Sequence, residues 1–125
     1  MTVQILAHHF SLSENETSYV EEKLHPILTI LGNIAKAEEM AIHIDIERQD
    51  TKAAHDQIEI RATFSLPGKH SLYADARGGT VMEVVDLVQP RIESQVRKLK
   101  TRLDEKPELG LSEIFTQMEE ETEEF

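Results

Sequence analysis

The sequence predicts an α+β domain of order β-α-β-β-β-α: a four-stranded, largely antiparallel sheet with two helices on one face, followed by an acidic C-terminal tail. Three observations predict it. Several segments alternate apolar and polar side chains with the two-residue period of a half-buried strand. Two S/T-x-x-E signatures each precede an apolar stripe of helical spacing. Residues 107–125 hold seven acidic side chains and no basic one.

Val3, Ile5 and Ala7 alternate with Gln4, Leu6 and His8, which predicts a first strand. Ser13 with Glu16 forms a capping box, and Val20, Leu24, Ile27, Leu28 and Leu31 fall on one face of the helix that follows. Gly32 stands where that helix should stop, and Pro26 is expected to kink or split it near His25. "MAIHIDIERQ" turns Ile42, Ile44 and Ile46 one way and His43, Asp45 and Glu47 the other. "QIEIRATFSL" repeats the pattern with Ile58, Ile60, Ala62, Phe64 and Leu66 inward. "PGK" at 67–69 signals a turn, and "HSLYADAR" then gives a fourth strand with Leu72, Ala74 and Ala76 inward. One apolar and one polar face on each strand is the pattern of an antiparallel sheet covered on one side.

Thr80 with Glu83 is a second capping box. Val81, Val85, Val88, Ile92, Val96, Leu99 and Leu103 then recur at three- and four-residue spacing, a long amphipathic helix over roughly 80–104. At about 100° per residue Pro90 lies nearly opposite this stripe, so it bends the helix without destroying its packing face. "EKPELG" ends it.

The 125 residues make one domain, 1–106, and a flexible acidic tail, 107–125. No cysteine is present, which excludes disulfides, thiolate metal sites and a cysteine nucleophile. No apolar run is long enough to cross a bilayer, and "MTVQILAHHF" lacks a basic region followed by an apolar stretch, so a soluble cytoplasmic protein is expected.

The formal net charge is -11, which repels nucleic acid at long range. Residues 91–106 run against that balance, with six basic and three acidic side chains. Arg91, Lys98 and Arg102 fall in one row on a flank of the helix stripe, while Arg97 and Lys100 point to other sides. A rigid row of cations beside a packed stripe can track successive phosphates; an ordinary solvated helix face is the bland alternative.

"ADARGGTVMEVVDLVQPRIESQVRKLKTR" resembles the ribosome hibernation factor (protein Y) family, short form, and the resemblance extends over about residues 2–104. That family has a strand end, a Gly or polar turn, and a helix of the form aromatic-or-Met-x-A-I-D-x-L-x-x-K-L-x-x-Q-L-x-K. The matching places are Met82, Val84-Val85-Asp86, Val88, Arg91-Ile92, Gln95-Val96 and Lys98. "FSLSENETSYVEEKL" is similar to the start of the family's first helix, with Lys23 at a usual basic position. The resemblance implies a noncatalytic translation inhibitor that binds small-subunit rRNA and occludes the tRNA and mRNA sites under stress. It implies RNA contacts at Lys23, Arg91, Lys98 and Arg102, with Arg77 at the turn before the helix and Arg97 and Lys100 as further candidates. Shape rather than base sequence would set such a site. Short members end in an aromatic followed by an acidic run, here Phe115 and "MEEETEEF". The tail has two further readings: a solubilising end, or a phosphate mimic folded over Arg91, Lys98 and Arg102. Further family cations on the first helix and one turn after Arg91 are replaced by Pro26, Thr29 and Ser94, which reduces the phosphate contacts available.

Other chemistry is poorly supported. His8 and His43 fall on the polar face of neighbouring strands near Asp45, but a zinc site needs three or four converging ligands, and the histidines read as surface residues. His8 and His9 are expected to point to opposite sheet faces. No G-x-S-x-G, phosphate loop or metalloprotease motif is present. The expectation is therefore no enzyme activity, no cofactor, no metal and no small-molecule substrate, with a monomer as the working form. The rival reading is a protein-interaction module that uses the open sheet face and the acidic tail.

Overall fold

The computed structural model describes residues 2–34, 40–49, 57–68 and 70–123. Among the described residues seven elements follow one another: β1 (Thr2–His8), α1 (Glu14–Gly32), β2 (Ala41–Arg48), β3 (Ile58–Leu66), β4 (His70–Gly78), α2 (Val81–Glu105) and α3 (Leu111–Glu123). The strands lie in the order β1-β2-β3-β4. The α+β class and the first six elements are those expected from the alternation and capping signals.

The sheet is mixed. β2–β3 and β3–β4 pair antiparallel, but β1 runs parallel to β2, with Val3 opposite Ile42 and Ile5 opposite Ile44. The connection explains this. A helical crossover, α1, carries the chain back to the starting end of the sheet, so β2 sets off in the same direction as β1. β3 and β4 are joined instead by a tight turn at Pro67-Gly68, where Gly68 has φ +82° and takes the left-handed conformation without a Cβ penalty. Lys69, the third residue of the expected turn, lies outside the described residues.

α1 starts on a complete capping box. Ser13 Oγ accepts from the Glu16 N–H at 3.1 Å, and Glu16 Oε1 accepts from the Ser13 N–H at 2.9 Å. At α2 only the hydroxyl half forms, from the Glu83 N–H to Thr80 Oγ1 at 3.2 Å. The split expected at Pro26 does not occur, and α1 runs unbroken through it. Pro26 is exposed, so water can serve the carbonyl it leaves unpaired, while Leu24 and Ile27 on either side stay buried and hold both halves to one face. Pro90 is likewise exposed inside an uninterrupted α2.

Both long helices cover the same sheet face. Val20, Leu24, Ile27 and Leu31 of α1 and Val81, Val84, Val85, Val88, Ile92, Val96 and Leu99 of α2 are buried over the inward side chains of β2, β3 and β4. Burying each such side chain stabilises the fold by about 1.5–3 kcal/mol. The opposite face of the sheet is open to solvent.

The third helix differs from the flexible tail expected for 107–125. α3 folds back on the domain, with Ile114 fully buried and Phe115 nearly so. The Phe115 ring stacks on His70 at the start of β4, centroids 4.6 Å apart and planes within 2°. The acidic count of the segment hid three apolar side chains, Ile114, Phe115 and Met118, spaced to make one helix face.

Candidate nucleic-acid interface

α2 lies along β4, an edge strand whose outer backbone groups have no further strand to pair with among the described residues. Side chains on one flank of α2 serve them. Arg91 Nη1 donates to the Asp75 carbonyl at 2.6 Å, and Gln95 Nε2 donates to the Tyr73 carbonyl at 2.7 Å. The same flank carries Lys98 and Arg102, because positions 91, 95, 98 and 102 repeat at helical spacing. Arg91 and Lys98 are exposed and Arg102 is half-buried. No hydrogen bond or ion pair reaches the Lys98 ammonium among the described residues. Arg102 is engaged within the molecule. Arg91, Lys98 and Arg102 share this flank by helical spacing, and the hydrogen bond to Asp75 places Arg91 against the sheet edge.

The other expected cations lie elsewhere. Lys23 projects from α1 on the side facing α2, with Nζ 3.9 Å from Asp86 Oδ1 and 5.4 Å from the centre of the Tyr19 ring. It therefore flanks the α1–α2 seam, on the other side of α2 from Arg91. Arg77 stands within β4, not on the turn, and its side chain falls on the open sheet face, where Nε donates to Glu59 Oε2 at 2.9 Å. The strand period sends residue 77 to the face opposite the helices. Arg97 sits 3.6 Å from Glu93 and Lys100 2.7 Å from Asp104, each one helical turn away. These two charges are partly matched before any partner arrives.

Three side chains outside the expected cation set shape this surface. Gln95 is uncharged, so a search for cations misses it, yet it stands four residues from Arg91 on the same flank and does the same work at the strand edge. Tyr19 and Asp86 close the α1–α2 seam, the phenol donating to Asp86 Oδ1 at 2.5 Å. That bond holds the Tyr19 hydroxyl above the usual tyrosine pKa of 10.0, helped by lost hydration and the negative charges of Asp86 and Glu22. Tyr73, on the open face, is also raised, first by desolvation and then by its hydrogen bond to Asp75 at 3.2 Å.

The open face is a polar network. Glu59 is buried between Arg61 and Arg77, and Arg61 also meets Glu47 at 3.5 Å. His8 Nε2 lies 3.0 Å from Asp45 Oδ1 and His9 Nε2 3.9 Å from Glu47 Oε1. Both histidines therefore turn to the same face, against expectation, because β1 ends at His8 and His9 leaves it with φ 71°. Among the described residues no three His, Cys, Asp or Glu side chains converge in a way that could hold a metal ion.

The family model described as Sigma 54 modulation protein / S30EA ribosomal protein matches residues 3–104, from β1 to the end of α2. Among solved structures, the N-terminal domain of Protein Y from Thermus thermophilus is similar, with a TM-score of 0.58 and 17% sequence identity, over 78% of this chain and 98% of that one. At that identity the likeness shows a shared fold. No curated protein matches the sequence.

Proposed function

The chain belongs to the Sigma 54 modulation protein / S30EA ribosomal protein family, a family of ribosome-associated modulation factors rather than of enzymes, and on that premise we propose that it inhibits translation by binding the small ribosomal subunit and occupying the space of tRNA and mRNA under stress. The observation that carries this reading is the flank of α2. Arg91 and Lys98 stand exposed in line with Arg102 on a helix fixed to the sheet by a buried stripe. A rigid cationic row of this kind neutralises phosphates without reading bases, which suits structured RNA.

In this reading Arg91, Lys98 and Arg102 make the central contacts. Lys23 would add one across the α1–α2 seam, and Arg97 and Lys100 would contribute less because Glu93 and Asp104 oppose them. Arg77 is directed to the other face of the sheet and would serve only if RNA wrapped around the β4 edge. A monomer working in the cytoplasm fits steric occlusion, and among the described residues no helix is long and apolar enough to cross a membrane.

The test is co-sedimentation with small subunits. Replacing Arg91, Lys98 and Arg102 together with Glu is expected to abolish association while far-UV circular dichroism stays unchanged. Lys98→Glu alone, at a position with no internal partner among the described residues, is expected to weaken association without any effect on folding. If the folded triple variant still co-sediments, the α2 flank is not the interface. Nuclease-insensitive capture of a nonribosomal protein would favour an interaction module instead.

A further inference from the structure

The two edges of the sheet are treated differently. At β4 the outward carbonyls of Tyr73 and Asp75 are occupied by Gln95 and Arg91. At β1 no such cover exists among the described residues. The Thr2 N–H donates to the Met40 carbonyl at 3.1 Å, which sets the phase of the strand. Thr2, Gln4, Leu6 and His8 turn their backbone groups toward β2, and Val3, Ile5 and Ala7 turn theirs away from the sheet. Natural edges are blunted by charged side chains, proline or bulges. The seven residues TVQILAH contain no Lys, Arg, Asp, Glu or Pro, and their register against β2 is unbroken.

A groove of about 490 Å³ opens beside this edge, between β1 and α1, lined by Val3, Ile5, Leu24 and Leu28 with Thr17 and Glu21. Val3 remains 40% exposed, and Leu6 on the other face 47%. α1 runs back from the His8 end of β1 toward its Thr2 end. Leu24 and Leu28 therefore lie toward Val3, and Glu21 and Thr17 toward the far end of the strand. Glu14 falls two helical turns before Glu21 on the same flank, so that end of the groove is acidic.

We propose that the β1 edge and this groove form a docking site for an extended peptide segment of a partner protein, one that is basic at its leading end and apolar at alternate positions beyond it. The segment adds antiparallel to β1 as a fifth strand. Its backbone pairs with the outward groups of Val3, Ile5 and Ala7, its Lys or Arg side chains pass Glu21, and its apolar side chains enter between Val3 and Leu28. Charge selects this occupant over a second copy of the chain. Each copy carries a net charge of -11, and Glu21 in the groove lining with Glu14 on the same helix flank favours a cationic segment over another acidic chain. The site lies three strand spacings, roughly 14 Å, from the β4 edge, so it and the α2 flank can be occupied together.

The capped peptide Lys-Thr-Lys-Thr-Val-Thr-Val is the probe, titrated into the full chain and followed by amide chemical shifts and calorimetry. Saturable binding is expected, with shifts centred on Val3, Ile5, Ala7 and residues 17–28. A permuted peptide of the same composition, Val-Val-Thr-Lys-Lys-Thr-Thr, is expected to bind at least about tenfold more weakly, because it breaks the alternation. Val3→Pro removes an outward N–H without touching the β2 ladder, and Glu21→Lys reverses the groove charge; each is expected to weaken binding about tenfold or more. Equal binding of the permuted peptide, shifts confined to other surfaces, or unchanged affinity in both variants overturns the proposal. So does sedimentation of the chain alone as a dimer that Val3→Pro dissociates.

Discussion

Arg91 reaches around the rim of the sheet and donates from Nη1 to the backbone carbonyl of Asp75 at 2.6 Å. One side chain thereby closes an exposed strand edge and stands in the cationic row of α2. A guanidinium carries five N–H donors, so a bond made by one nitrogen leaves others directed outward and the charge held in place. Lys98 has no such tether among the described residues. Arg91→Ala is therefore expected to lower stability by about 1 kcal/mol, less than the roughly 1.5–3 kcal/mol of a buried charged hydrogen bond because water screens this exposed site. Lys98→Ala is expected to fall within about 0.5 kcal/mol of the parent. Urea denaturation of the two variants checks this, and equal losses would contradict it.

Salt dependence separates the cations that meet phosphate from those already matched. Removing one phosphate contact is expected to reduce the slope of log affinity against log salt by about 0.7–0.9. Lys98→Ala should show that full change in binding to small subunits or structured RNA. Arg97→Ala and Lys100→Ala should show clearly less, since Glu93 and Asp104 lie within 3.6 Å and 2.7 Å of their charges. Identical slope changes at all three positions would place the phosphates elsewhere on α2.

The third helix predicts a stability cost at a place that looks dispensable. Ile114→Ala is expected to lose about 2–4 kcal/mol and Phe115→Ala about 3–5 kcal/mol, as buried large side chains do. Equilibrium unfolding measures it. A segment that hung free of the domain would lose nothing at either position.

Alkaline titration reads the α1–α2 seam. The chain has two tyrosines, and both are held above the usual pKa of 10.0. The folded state keeps the Tyr19 proton better than the unfolded chain does. The resulting stabilisation is complete below pH 10 and is lost as pH rises through the higher folded value. Ultraviolet titration of the phenolate should show both groups ionising late, and Asp86→Asn should bring Tyr19 back toward 10.0. A Tyr19 transition unmoved by that substitution would remove Asp86 as the cause.

The strands, both long helices and the row on α2 were legible because each rests on periodicity within one segment. Ile42-Ile44-Ile46 shows a half-buried strand wherever that strand pairs, and 91-98-102 shares a flank on any helix. What was not legible depends on relations between segments. Alternation is the same for parallel and antiparallel neighbours, so the direction of β1 could be read only from the connection through α1. Lys23 and Arg77 carry the right charge, but the turn of α1 toward Asp86 and the phase of β4 separate them from Arg91. The contact of Gln95 with the strand edge was hidden by its lack of charge, and α3 by having too many charges around Ile114 and Phe115.

The pairing of Thr2 with Ala41 has a kinetic meaning. β3 and β4 meet across a few residues and can zip from their turn, whereas β1 must wait for α1 and β2 to follow it and then close a long loop. β1 is thus synthesised before the strand it pairs with and is late to acquire that partner. It passes that interval as an uncharged ribbon with both edges open, so slow exchange at the Thr2 and Gln4 amides would mark the moment of final assembly.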